Sequence, residues 1–182
     1  KANAYGHGLI RIAKTLNEID AFALLELEAA IQLREVGIHQ PILLLEGFFS
    51  KSDLISIDQY RLDTVIHHPE QIAMLADHRM NKKINLFLKI NTGMNRLGLT
   101  PKEGSKAIHT LRNLPHVGEI TLMTHLASAD DPAAYHEVST QLSVFSEVLN
   151  ITRLPCSLAN SAAIIQYPQT HQDWIRPGIM LY

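Results

Sequence analysis

Seven short apolar runs punctuate the chain: Ala21 to Leu25, Pro41 to Leu45, Asp63 to His67, Ile84 to Ile90, Gly118 to Thr124, Cys156 to Ala159 and Trp174 to Arg176. Several are continuously apolar rather than alternating, the pattern of strands covered on both faces, as in parallel sheets. Stretches of helical period lie between them. Leu9, Ile12, Ala13, Leu16 and Ile19 fall on one helical stripe, and Glu28 to Arg34 leads into Gly37, a helix stop. Glu70 to Ala76 reads as a short helix with Pro69 near its first turn. Tyr135 to Leu149 reads as a longer one, with Val138, Leu142, Phe145 and Leu149 on one face.

Strand starts fall near positions 21, 41, 63, 84, 118, 156 and 174, and the first three intervals, of 20, 22 and 21 residues, are about one βα unit each. Seven such strands in a row predict an α/β protein, and that number suggests a TIM-type (β/α)8 barrel more than an open sheet. Tyr5-Gly6-His7-Gly8 leads straight into the first helical segment, so Lys1 to Gly8 reads as the loop after a strand that precedes residue 1. A complete barrel takes about 250 residues. The 182 residues are therefore expected to form one domain, residues 1–182, incomplete at both ends. No sequence repeat and no Gly/Ser/Pro-rich linker interrupts this rhythm.

Composition narrows the class. With 46% hydrophobic residues the chain has material for a core, which excludes a disordered one. A net charge of -2 and a pI near 6.6 give no electrostatic footprint for nucleic acid or an anionic membrane. The single Cys156 excludes a disulfide framework or a cysteine-rich zinc site and fits a reducing, cytoplasmic setting. No signal peptide is expected from the opening residues, and no apolar run has the length of a membrane span. The ten histidines include no HExxH, His67-His68 reads as incidental, and no metal site is expected. The glycine-containing loops match neither a P-loop nor the dinucleotide fingerprint.

In barrels of this type chemistry sits where strands run out into βα loops. That rule selects Lys1, Tyr5, Lys89, Arg96, His125, Asn160, Ser161, Arg176 and Gly178, a set rich in positive charge that jointly resembles a pocket for an anion. A lysine facing a walled pocket is pushed toward its neutral amine and becomes a nucleophile able to form a Schiff base, the role open to Lys1. Lys89 alternates with Leu88 and shares a side with Phe87, which points it to the barrel interior. The following Asn91 to Gly98 loop carries Arg96 back over the mouth. Asp130, after His125, is most simply a turn or cap residue. Asn160-Ser161-Ala162-Ala163 resembles a helix start, where Ser161 serves either as an N-cap or as a phosphate donor. Arg176-Pro177-Gly178-Ile179 sets a guanidinium at a strand end with two amides just beyond, in the loop region where barrels commonly bind phosphate. Each of these, taken singly, also fits a loop residue satisfied by water.

The segments Lys1 to Gly8, Lys89 to Gly98 and Arg176 to Tyr182 closely resemble those of alanine racemases, and the match continues in order through Thr124 to Asp130 and Ala159 to Ala163. Pro41 to Phe49 also looks like the bacterial enzymes. The resemblance implies a pyridoxal-5'-phosphate enzyme that interconverts L- and D-alanine by two-base proton transfer on a cofactor aldimine, supplying D-alanine for peptidoglycan. It implies that Lys1 is the Schiff-base lysine and one base. It implies that Tyr5, Ser161 and the Gly178 and Ile179 amides hold the cofactor phosphate, with Asn160 beside them. Arg176 would face the pyridine nitrogen with His125 behind it, and Arg96 would contact the cofactor's phenolic oxygen and the substrate carboxylate. Lys89 matches a lysine that is carbamylated in some members, where it positions that arginine. The family's second base is a tyrosine from a C-terminal β domain of the other subunit of a homodimer, and no counterpart to that domain is expected within residues 1–182. On that ground this segment by itself is expected to be inactive. A broad-specificity amino-acid racemase and a non-catalytic pyridoxal-phosphate-binding barrel are the alternatives.

Overall fold

The computed structural model describes residues 2–182, the side chain of Ala2 excepted, so Lys1 and the roles expected of it lie outside the described residues. Seven strands form one parallel sheet: β1 (Phe22–Leu24), β2 (Ile42–Leu44), β3 (Asp63–Ile66), β4 (Ile84–Lys89), β5 (Val117–Met123), β6 (Cys156–Asn160) and β7 (Trp174–Arg176). Each pairs in parallel with its sequence neighbours, in the order β1 to β7, and the sheet curls into a nearly closed barrel. Every expected strand start holds to within one residue.

Helices alternate with the strands: α1 (Leu9–Thr15), α2 (Leu27–Glu35), α3 (Lys51–Tyr60), α4 (Pro69–Ala76), α5 (Pro101–Arg112), α6 (Tyr135–Thr152) and α7 (Ser161–Gln166). The first is shorter than its apolar stripe. Leu16 leaves helical geometry at ψ 55, yet Leu16 and Ile19 still pack on the core from the connection that follows. Helices α3 and α5 were not assigned from periodicity. Both open on capping boxes, Ser50 with Asp53 and Thr100 with Glu103, and the second was legible as Thr-Pro-x-Glu. Helix α6 runs on to Thr152, and its fully buried row is Val138, Gln141, Phe145 and Val148. Leu142 and Leu149, expected on that row, flank it half-buried. A polar residue thus occupies the centre of the face that an apolar pattern assigns to leucine.

The pleat divides each strand between two environments. Ile42, Leu44, Ile66, Leu86, Leu88, Ile120 and Leu122 point outward into the core shared with the helices. Leu43, Val65 and Met123 point inward, with Ala23, Leu45 and Phe87 around them. The interior holds a cavity of about 960 Å³, into which β4 presents Asn85, Phe87 and Lys89 in succession. Phe87 meets Trp174 edge-on across it, with ring centroids 6.1 Å apart. At the N-terminal end of the strands, burial raises the Asp63 carboxyl to about 6, opposed by hydrogen bonds from Asn85 and the charge of Arg34 and reinforced by Glu119. Arg34 braces this end by donating to the carbonyls of Ile38, Gln40, Tyr60 and Arg61, so one side chain ties two αβ loops together.

Candidate functional site

Arg176 ends β7 with its guanidinium turned into the barrel mouth. It donates to Ser157 Oγ at 2.6 Å, to the Thr124 carbonyl at 2.7 Å and to the Leu158 carbonyl at 3.0 Å. Burial alone pulls its pKa down to about 10, so it still carries its charge at neutral pH. The Ser157 hydroxyl in turn donates to the Trp174 carbonyl, which fixes it as an acceptor toward Arg176. Ser157 is itself fully buried. Its polarity inside the Cys156 to Ala159 run is the only sequence sign of this contact.

Beside Arg176, three donors converge. The Ser161 hydroxyl accepts from the Gly178 amide at 2.9 Å and from the Met180 amide at 3.4 Å. A Cβ on Gly178 would stand 2.4 Å from Tyr5 Oη, so only a glycine lets that hydroxyl approach. Asn160, not Ser161, caps α7: its side-chain Oδ1 accepts from the Ala163 amide, and its Nδ2 donates to the Leu126 carbonyl. Ser161 is left as the first helical residue with its hydroxyl facing the Gly178 loop. Ile179 follows in a single exposed 3₁₀ turn, Ile179–Leu181. Tyr182 does not continue a strand. It stacks on His7 with centroids 4.4 Å apart and leans on Tyr5 at 5.5 Å.

Tyr5 reaches this cradle from an unusual backbone. Asn3, Ala4 and Tyr5 all have left-handed φ, between 47 and 56. Each such residue costs about 1–2 kcal/mol when it carries a Cβ. The turn is held by Gly6 and Gly8 amides on the Asn3 carbonyl, and by the Asn3 side chain accepting from the Leu9 amide. Strain of this kind persists where the surroundings over-determine it, commonly at functional sites.

Lys89, Arg96 and His125 line a common recess with Thr92, Met94, Leu97 and Thr124. Lys89 is buried at the end of β4, while Arg96 lies exposed on the loop above it. That loop closes on itself at its neck: the Leu99 amide donates to the Lys89 carbonyl and the Asn91 amide to the Leu99 carbonyl. Gly98 allows the close approach, since a Cβ there would stand 2.6 Å from the Asn91 nitrogen. The Asn91 side-chain oxygen Oδ1 accepts from the Gly93 and Asn95 amides and folds the tip. Nearby, His67 meets the Glu46 carbonyl at 2.9 Å, and burial holds its pKa below the usual value, with the charge of Lys89 acting in the same direction. His68 caps α4. Asp130 lies exposed in a turn at the cavity rim. Among the described residues no cluster of His, Cys, Asp or Glu is arranged to hold a metal ion.

The residues around the cradle suit a phosphate ester. Two hydroxyls and a main-chain amide meet where Gly178 lacks a Cβ, and a buried guanidinium stands beside them. Sequence reasoning missed Ser157, Thr92, Thr124 and Gln141, which carry the expected residues rather than join them.

Fold and mouth together define a TIM-type barrel with Tyr5, Ser161 and the Gly178 amide gathered at its last loops. The chain belongs to the alanine racemase family: it matches the alanine racemase N-terminal domain over residues 1–182. It is 54% identical to the alanine racemase of Nitrosospira multiformis and 55% identical to that of Nitrosomonas europaea, over the whole of this chain and 51% of each relative. Among solved structures it superposes on the biosynthetic alanine racemase of Pseudomonas aeruginosa with a TM-score of 0.90 at 39% identity, covering 100% of this chain and 51% of that one. It superposes on the alanine racemase of Bartonella henselae, which has covalently bound pyridoxal phosphate, with a TM-score of 0.86 at 31% identity, covering 100% and 54%. The chain thus spans about half the length of the relatives it matches. Among the described residues no helix is long and apolar enough to cross a membrane.

Proposed function

We propose that the protein carrying this chain interconverts L- and D-alanine with pyridoxal 5'-phosphate, and that residues 1–182 are its cofactor-binding barrel domain. The observation that carries this reading is the convergence of Tyr5 Oη, the Ser161 hydroxyl and the Gly178 amide beside a buried Arg176, in a chain of this family. These groups hold the cofactor phosphate, with the Ile179 amide completing the cradle. Asn160 fixes the start of α7 so that the Ser161 hydroxyl keeps its aim.

When bound, the cofactor supplies an electron sink that acidifies the α-hydrogen of the amino acid. Lys1 would hold the cofactor and would serve as the base for one face of the amino acid's α-carbon. Arg176 would donate to the cofactor's ring nitrogen. A guanidinium with a pKa near 10 is a poor proton donor and would leave that nitrogen largely unprotonated, which would weaken the electron sink and disfavour side reactions. His125 follows Thr124, whose carbonyl Arg176 holds, and would bond to Arg176 from behind. Arg96 binds the substrate carboxylate and the cofactor's phenolic oxygen. Carbamylation of Lys89 turns a buried cation beside Arg96 into an anion that accepts from it. A second base acts on the opposite face from outside residues 1–182, in a homodimer. The product D-alanine serves cell-wall peptidoglycan, and the enzyme works in the cytoplasm.

The test adds pyridoxal phosphate to the full-length protein and follows visible absorbance and then loss of optical rotation by L-alanine. Both signals are expected, and both vanish in Lys1→Ala. Absorbance without racemisation moves the reading to a non-catalytic cofactor-binding barrel, and comparable rates on other amino acids move it to a broad-specificity racemase. Wild-type absorbance in Lys1→Ala sinks all three.

A further inference from the structure

The two loops that carry Arg96 and His125 share a support that no apolar pattern reveals. Gln141, at the centre of the buried face of α6, is only 4% exposed and lies among valine, phenylalanine and leucine. Its amide nitrogen donates to Thr92 Oγ1 at 3.0 Å and to the His125 carbonyl at 3.0 Å, and its oxygen accepts from the Ala127 amide at 2.9 Å. Thr92 and Thr124 are also buried, with their hydroxyls 2.8 Å apart. Thr124 has one hydroxyl hydrogen and gives it to the Ile90 carbonyl at 3.0 Å, so Thr92 must be the donor between the two. The chain of bonds therefore runs one way: Gln141 Nε2 to Thr92, Thr92 to Thr124, Thr124 to the Ile90 carbonyl. Ile90 and Thr92 bracket the start of the Arg96 loop. The carbonyl of Thr124 receives Arg176, so the same residue anchors both arginines by different atoms.

We infer that Gln141 is a positioning residue for the reaction: through Thr92 and Thr124 it sets the height of the Arg96 loop and of the His125 segment over the barrel mouth. The functional part of this inference rests on the racemase reading, since it makes Arg96 the carboxylate-binding group. The direction of the bonds makes the role specific. A glutamate at 141 has the shape of glutamine but offers an acceptor to Thr92 and to the His125 carbonyl, which already present lone pairs, and the chain then lacks its first donor. Arg176 is insulated, because no side-chain substitution removes the Thr124 carbonyl.

The experiment uses the full-length protein and four variants: Gln141→Met, Gln141→Glu, Thr92→Val and Thr92→Ser. In the absence of cofactor, amide hydrogen exchange is followed over residues 90–99 and, as controls, over β3 and α5. Loss of the Gln141–Thr92 bond, common to the first three variants, is expected to speed exchange in the loop by at least roughly tenfold while the controls keep wild-type protection. Thr92→Ser keeps the hydroxyl and is expected to restore wild-type exchange. With cofactor, the same three variants raise KM for alanine by about tenfold, which is ~1.4 kcal/mol. Their kcat and visible absorbance stay near those of the wild type, and Thr92→Ser again behaves as wild type. Wild-type exchange of the loop in Gln141→Glu overturns the inference. So does a loss of protection spread evenly over loop and controls, or a fall in kcat with no rise in KM, since either makes Gln141 a stability residue alone. If the loop loosens as expected but the wild-type protein racemises nothing, the positioning role stands and the racemase reading falls.

Discussion

Ser157→Ala is the sharpest probe of how the mouth holds a buried charge. The hydroxyl it removes is fully enclosed, takes an Nη1 hydrogen of Arg176 at 2.6 Å and passes its own hydrogen to the Trp174 carbonyl at 3.0 Å. A hydrogen bond to a charged group contributes about 1.5–3 kcal/mol and a neutral one about 0.5–1.5 kcal/mol. Methyl for hydroxymethyl leaves too little space for a replacement water, so the two losses add to about 2–4.5 kcal/mol. The guanidinium is already destabilised by burial, and losing one of three partners leaves its charge less well compensated. Urea unfolding at neutral pH of the full-length protein, of Ser157→Ala, of Arg176→Met and of the double variant measures this. In the Arg176→Met background Ser157→Ala is expected to cost only about 1 kcal/mol, leaving a coupling of about 1.5–3 kcal/mol between the two side chains. A coupling below ~0.5 kcal/mol would mean that the short bond adds nothing beyond solvation, and the account of Arg176 given above would be wrong.

Three further outcomes are expected. Because burial raises Asp63 to about 6, the native state holds that proton more tightly than the unfolded chain. Stability is then fullest below the unfolded carboxyl value and declines as pH rises through about 6. Asp63→Asn should therefore gain up to about 3 kcal/mol on the wild type at pH 8 and nothing at pH 4, and equal curves across that range would refute the burial argument. Gly178→Ala should leave unfolding within about 1 kcal/mol of the wild type, because the half-exposed Tyr5 ring can swing aside, yet weaken pyridoxal-phosphate binding by roughly tenfold or more. Unchanged affinity in a titration would separate Tyr5 from the cradle. Burial, reinforced by Asp173, pushes the Cys156 thiol up to about 11, so native protein should resist iodoacetamide at pH 8 and react only on unfolding. Mass spectrometry of native and denatured samples decides it.

The strands were legible because a parallel sheet covered on both faces leaves uninterrupted apolar runs, and every one of the seven appears where such a run stands. The barrel-mouth residues were legible for a different reason: polar side chains at strand ends stand out once the strands are known. Lys89, Arg96, His125, Ser161 and Arg176 all lie around the mouth. Helix α3 was lost because its signal is in the Ser50–Asp53 cap and not in a strong apolar stripe, whereas α5, with Ala107, Ile108 and Leu111 on one buried face behind its Thr100–Glu103 cap, was readable from the sequence and overlooked. Gln141 and Ser157 were lost because periodicity sorts positions only into wet and dry. A polar group that stays dry by meeting main-chain carbonyls from distant loops has no local signature. The ends of helices escaped too: Leu16 is apolar enough to continue α1, but its contact with the core is made from outside the helix.

The order of the sheet has a consequence for how the protein comes to exist. Each strand bonds only to the strands before and after it in the chain, and no pairing among the seven reaches farther than one βα unit. A chain emerging from the ribosome N-terminus first therefore meets, at every new strand, a partner that is already made. Loop-closure entropy is lost in a series of short closures rather than in one long search, even though every pairing in the sheet is between parallel strands. These parts of the mouth are assembled in the same order, Arg96 before His125 and Arg176 after both, so the guanidinium that grips Thr124 and Ser157 arrives on a wall that β4 to β6 have already built.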